Sequence, residues 1–276
     1  MVARRLTLLL TTAAASTVAV LPAATATAGT GPAAYSKEQA GYSVTGRAFK
    51  EVDVNVQLPN AGQFAASLGR LTLSVQLWSK NLVIDAGVTV CTDSSCQPGG
   101  KPRARLYRPV VTVFSRSART VVCSTMNSSC PGVPASFNRE RFRPGHRASM
   151  YIFYDRSGDD VQSGVGSQIY GGYLPPNGTA FTQARIGAEL GSTPWSTIAY
   201  RTPARQRLLA TFGVPAGPPY EAEFALQNGS AGCVASPRYA HHQVLMTRSG
   251  SSATWVRARP GGLSNLGCNF GVYLRR

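Results

Sequence analysis

The chain has 276 residues, with 28 Lys or Arg against 12 Asp or Glu, a formal charge of +16, and 43% hydrophobic residues. That hydrophobic content excludes a disordered polyelectrolyte. Positive charge directs attention to anionic partners. Nearly all of it is Arg, with Lys only at Lys37, Lys50, Lys80 and Lys101, a bias that genome base composition also produces.

In chain order, residues 1–28 read as a secretory signal peptide: Arg4 and Arg5, an apolar stretch from Leu6 to Leu21, and the small-residue site Ala26-Thr27-Ala28. No later run approaches the roughly 20 apolar residues of a spanning helix, so the mature chain is expected to be secreted, with no membrane span. Residues 29–40 read as a flexible N-terminal tail, and 41–276 as one domain. Over 50–58, "KEVDVNVQL" sets Val52, Val54, Val56 and Leu58 against Glu51, Asp53, Asn55 and Gln57. That period of two marks a half-buried strand. "LTLSVQLW" (71–78) alternates Leu71, Leu73, Val75 and Leu77 with Thr72, Ser74, Gln76 and Trp78. In "LVIDAGVTVC" (82–91) the apolar face is Leu82, Ile84, Ala86, Val88 and Val90, and Asp85 lies on the other.

Strands are also expected over 110–114, 148–155, 183–190, 207–214, 243–248, 253–259 and 269–275, separated by Gly, Pro, Asn and Ser clusters. Only 61–69 has a helical leaning, and "GVGSQIYGG" (164–172) reads as a flexible turn. Many short strands at this spacing predict an all-β, two-sheet antiparallel β-sandwich.

Six cysteines fit an oxidising compartment. Cys91-Cys96 and Cys123-Cys130 are expected to close short turns, and Cys233-Cys268 a longer loop, although six cysteines allow 15 pairings. The spacings do not suit zinc, and His146, His241 and His242 lie far off in sequence, so no metal is expected. Cofactor loops and hydrolase elbows are absent, and no cofactor is expected. The basic stretches "KPRARLYR" (101–108) and "RERFRPGHR" (139–147) stand near Tyr107, Phe137 and Phe142. Their pattern is either a weak, non-specific polyanion surface or solvated turns.

"QARIGAEL" (183–190) repeats the situation of Asp85. Ala184, Ile186, Ala188 and Leu190 form the apolar face, while Gln183, Arg185, Gly187 and Glu189 share the other. "LVIDAGV" (82–88) resembles the strand of the glutamic endopeptidases (eqolisins) that carries their catalytic glutamine. "TQARIGAE" (182–189) is similar to the strand ending in their catalytic glutamate. "LLATFGV" (208–214), "GLSNLGCNFGVYL" (262–274) and "YSVTGRAFKEVDVNVQLP" (42–59) resemble further family strands in the same order. The resemblance implies a jelly roll, with Glu189 as general base and Asp85 at the glutamine position. Asp85 is one methylene shorter than glutamine and lacks its N–H donor. The expected Trp-Tyr-Glu-Trp segment reads "YRPVVTVFSR" (107–116), and Arg185 replaces the family's first glutamate.

Two functions follow. One is an acid peptidase in which Asp85 and Glu189 share a proton around one water; paired acids would serve glycoside hydrolysis equally. The other is a non-catalytic extracellular module, expected to be a monomer, for a peptide, polysaccharide or polyanion. Trp195, Trp78, Gln76 and Arg185 are its candidate contacts.

Overall fold

The computed structural model describes residues 34–36, 39–59, 70–91, 106–127, 129–134, 136–137, 142–158, 160–190, 207–212, 223–226, 231–236, 239–249, 254–263 and 269–274. Its strands are β1 (Ala34–Ser36), β2 (Gln39–Gln57), β3 (Arg70–Trp78), β4 (Leu82–Cys91), β5 (Leu106–Ser115), β6 (Thr120–Ser124), β7 (Arg147–Asp155) and β8 (Asp160–Val165). They continue as β9 (Gln168–Tyr173), β10 (Phe181–Leu190), β11 (Arg207–Phe212), β12 (Glu223–Leu226), β13 (Ala231–Gly232), β14 (Ala240–Ser249), β15 (Thr254–Pro260) and β16 (Phe270–Leu274).

The protein is all-β. Every pairing is antiparallel except that of β1 with β14. The two layers are joined rather than separate, because the long β2 runs through both. Its first part pairs with β10 and β14, and its later part with β7 and β12. From there one layer continues β10-β3-β4-β5-β6 and the other β7-β8-β9. A curled sheet of this kind wraps its own core. Val75, Leu77, Ile84 and Val113 of the first layer meet Ile152, Tyr154 and Val161 of the second, all buried. Burying such an aliphatic side chain contributes about 1.5–3 kcal/mol relative to leaving it exposed.

Strand alternation places these residues inside as the sequence predicts, most plainly on β2 and β7. Three expectations change. Residues 34–36 and 39–40 are strand rather than tail, with Ala40 buried. "GVGSQIYGG" belongs to the β8–β9 hairpin, whose turn uses Gly166 at φ 62°. Tyr107 and Phe137 are fully buried and Phe142 packs against the core, so these aromatics do not stand on a surface for polyanions. The Tyr107 hydroxyl donates to the Pro59 carbonyl at 2.8 Å. Tyr107→Phe leaves that buried carbonyl without this donor, and chemical denaturation is expected to show a loss of about 1–3 kcal/mol.

The Cys123–Cys130 disulfide forms as expected and closes the turn after β6. Cys233 is also disulfide-bonded. Cys96 and Cys268 lie outside the described residues, as do Trp195 and the segment 61–69.

Candidate functional site

The face of β10-β3-β4-β5 turned away from the core is not a solvated outer surface. Thr72, Ser74 and Gln76 are buried on it, at 8%, 3% and 5% exposure, and Asp85 is half-buried. Curling of the sheet makes this face concave. A groove of about 550 Å³ runs along it and is lined by both Asp85 and Glu189.

Strand register arranges the groove in four cross-strand rows. Gln39, Glu189, Thr72, Thr89 and Arg108 form the first. Gly41, Gly187, Ser74, Gly87 and Val110 form the second. The third contains His242, Ser43, Arg185, Gln76, Asp85 and Thr112, ending at Ser124. The fourth is Gln183, Trp78, Val83, Phe114 and Val121. A polar row thus lies on each side of a nearly bare one, and an apolar row follows.

The bare row is a packing necessity as well as a shape. A Cβ on Gly87 would overlap the Leu73 carbonyl oxygen, and one on Gly187 the Ala40 carbonyl oxygen. Neighbouring backbones approach too closely there for any side chain, which is the ordinary reason for glycine inside a strand.

The two acids share the groove but do not meet. Asp85 stands opposite Gln76, whose other neighbour is Arg185, whereas Glu189 stands opposite Thr72. Two strands at about 4.8 Å and four residues at about 3.4 Å put their Cα atoms roughly 17 Å apart. In register the two acids are therefore not cross-strand neighbours, and the amides of Gln39 and Gln76 stand between them. The residue in Asp85's row on β10 is a cation, Arg185.

Arg185 is held from several sides. Its Nη1 donates to Gln39 Oε1 at 2.8 Å, and its guanidinium lies 3.9 Å from the centroid of the Trp78 ring. Arg116 lies over the same ring at 5.2 Å. Burial, then the like charge of Arg116, holds the Arg185 pKa down to about 10, so it stays cationic at neutral pH. Gln39 Nε2 donates to Glu189 Oε2 at 3.2 Å and to Gln76 Oε1 at 3.3 Å. Trp78 Nε1 donates to the same Gln76 oxygen at 2.9 Å. Thr72 with Thr89, at 3.0 Å, and Thr112 with Ser124, at 3.2 Å, complete the hydroxyl pairs. Among the described residues no cluster of His, Cys, Asp and Glu could hold a metal ion.

Of the candidates, Asp85, Glu189, Gln76 and Trp78 line this groove, and Arg185 contacts Trp78 and Gln39 beside it. Gln39, Arg116, Phe114 and Val121 were not legible as site residues. Gln39 had a signal: period two continues backward from Val44 through Tyr42 to Ala40, which carries the strand into the supposed tail.

No family model matches the sequence, and no curated protein matches it. Among solved structures the chain is similar to scytalido-glutamic peptidase with a transition state analog inhibitor, at 11% identity and a TM-score of 0.45, covering 86% of this chain and 97% of that one. The same peptidase with a peptide-based transition state analog aligns at 10% identity and a TM-score of 0.40, with the same coverage. SCP-B, a member of the eqolisin family in a complex with the tripeptide Ala-Ile-His, aligns at 10% and 0.39, again covering 86% and 97%. The likeness is distant. It leaves the chemistry to the groove's own residues.

Proposed function

We propose that this protein is a secreted binding module whose concave groove takes an extended peptide segment without cleaving it. The observation that carries the reading is the register: Asp85 faces Gln76 and Arg185, while Glu189 stands four residues away along β10. General-base hydrolysis needs a carboxylate and an oxyanion partner around one water. This groove separates them in register and places the amides of Gln39 and Gln76 between.

The arrangement suits a polypeptide for three reasons. The groove of about 550 Å³ beside the bare row offers a trough for an extended segment. Amides, hydroxyls and charges of both signs border it on either side, as peptide groups and mixed side chains require. An apolar row beyond provides area for a side chain. The disulfide fits export into an oxidising environment, in line with the predicted signal peptide.

The test is equilibrium binding of short unstructured peptides, by calorimetry, to wild type and to Thr112→Phe, at a half-buried position lining the groove. The phenylalanine fills the trough from a position that already carries a side chain. Wild type is expected to bind, and the variant, checked for folding by circular dichroism, to bind at least about tenfold more weakly. Equal affinity in a folded variant would remove the trough from the account.

A further inference from the structure

Resting on that reading of the groove, we infer that its Trp78 end is a two-part subsite for a carboxylate adjacent to a large apolar side chain. Arg185 takes the anion, and the row Trp78–Val83–Phe114–Val121 takes the apolar group.

Two like-charged guanidinium groups, Arg185 and Arg116, lie over one indole. Each is attracted to the ring, and the two cations repel one another across it. Arg116 is tethered by Nη1 to the Ser79 carbonyl at 2.6 Å and to the Lys80 carbonyl at 3.4 Å. Arg185 is fixed through Gln39, and its Nε is buried with no hydrogen-bond partner. A guanidinium with a stacked face and a fixed fork binds carboxylate with defined geometry. An anion there relieves the repulsion of two cations and satisfies a donor.

The register fixes where the two acids of the groove stand relative to Arg185. Glu189 accepts from Gln39 in the first row, on the other side of the bare row from Arg185, and Asp85 lies beyond Gln76, one strand further on.

The apolar row begins at the same indole. Trp78 pairs with Val83, Val83 with Phe114, and Phe114 with Val121, on four successive strands. All four line the groove, and Val121 is 54% exposed. Elsewhere strand alternation turns the large apolar residues of β3 and β4 inward. Here a row of them faces the groove, where apolar area gains by being covered.

The test uses acetylated tetrapeptides ending in phenylalanine, with a free acid or an amidated terminus, measured by calorimetry. The acid is expected to bind at least about tenfold more tightly, the ratio of one charge-assisted hydrogen bond. Arg185→Gln is expected to bring the ratio of acid to amide affinity to about one. Val121→Thr, a near-isosteric change at an exposed position, is expected to weaken the acid ending in phenylalanine more than one ending in alanine. If an amidated peptide with an internal aspartate binds as tightly as the free acid, the subsite stands and its carboxylate comes from a side chain. Equal binding of acid and amide in wild type overturns the subsite while the groove reading stands. Absence of any peptide binding overturns the groove reading itself.

Discussion

Gly187→Val is expected to be the most damaging single change in the sheet. Gly187 faces Gly41 across β2, and an added Cβ would meet the Ala40 carbonyl and the Gly41 Cα, both backbone atoms. Neither yields by a rotamer change, so relief requires β2 and β10 to part. β2 belongs to both layers, and the disturbance spreads to each. Overpacking costs about 1–3 kcal/mol where side chains can move, and this collision should exceed that range. In a domain of this size the melting temperature should fall by roughly 10 °C or more. Gly262→Ala is the control, since nothing lies within 4 Å of its added Cβ. A melting temperature for Gly187→Val equal to that of the control would contradict the close approach on which the trough depends.

The second large effect is acid destabilisation. His241 is buried, its Nδ1 has no hydrogen-bond partner, and burial lowers its pKa below the usual histidine value. His242, on the groove side, is lowered by burial, then by the charges of Arg185 and His241. Both groups therefore bind protons more readily in the unfolded chain. Their neutral forms support folding above about pH 6.5, and that support is lost as the pH falls through the unfolded histidine range towards the lower folded values. Each contributes a slope of at most about 1.4 kcal/mol per pH unit. Asp155 acts lower down, because its hydrogen bonds from Ser157 hold its carboxyl below the usual carboxylate range. Urea midpoints are expected to fall from pH 7 to pH 5, and His242→Gln should flatten the slope. Midpoints that stay level or rise towards pH 4 would contradict this.

Much of the fold was legible because alternation is a local property. Val52, Val54 and Val56 inside, with Glu51, Asp53 and Asn55 outside, needs only the pleat. The Cys123–Cys130 bridge was legible for the same reason: its cysteines stand only seven positions apart in sequence. Register is different, since it is set between strands far apart in sequence. Alternation placed Asp85 and Glu189 on the groove face correctly, yet nothing local says which residue of β10 stands in Asp85's row. A shift of four residues along a strand preserves the face and changes the neighbour from a carboxylate to Arg185. The β8–β9 hairpin was hidden by its glycines. Gly164 reads as a loop residue but makes room for the Tyr151 ring lying across it.

The most direct measurement is the intact mass of an unfolded polypeptide incubated with the mature protein between pH 3 and pH 7, with bound polypeptide quantified in the same samples. The account predicts capture of the polypeptide at neutral pH, with its mass unchanged at every pH. Fragments that appear with wild type and disappear with Glu189→Gln would contradict it.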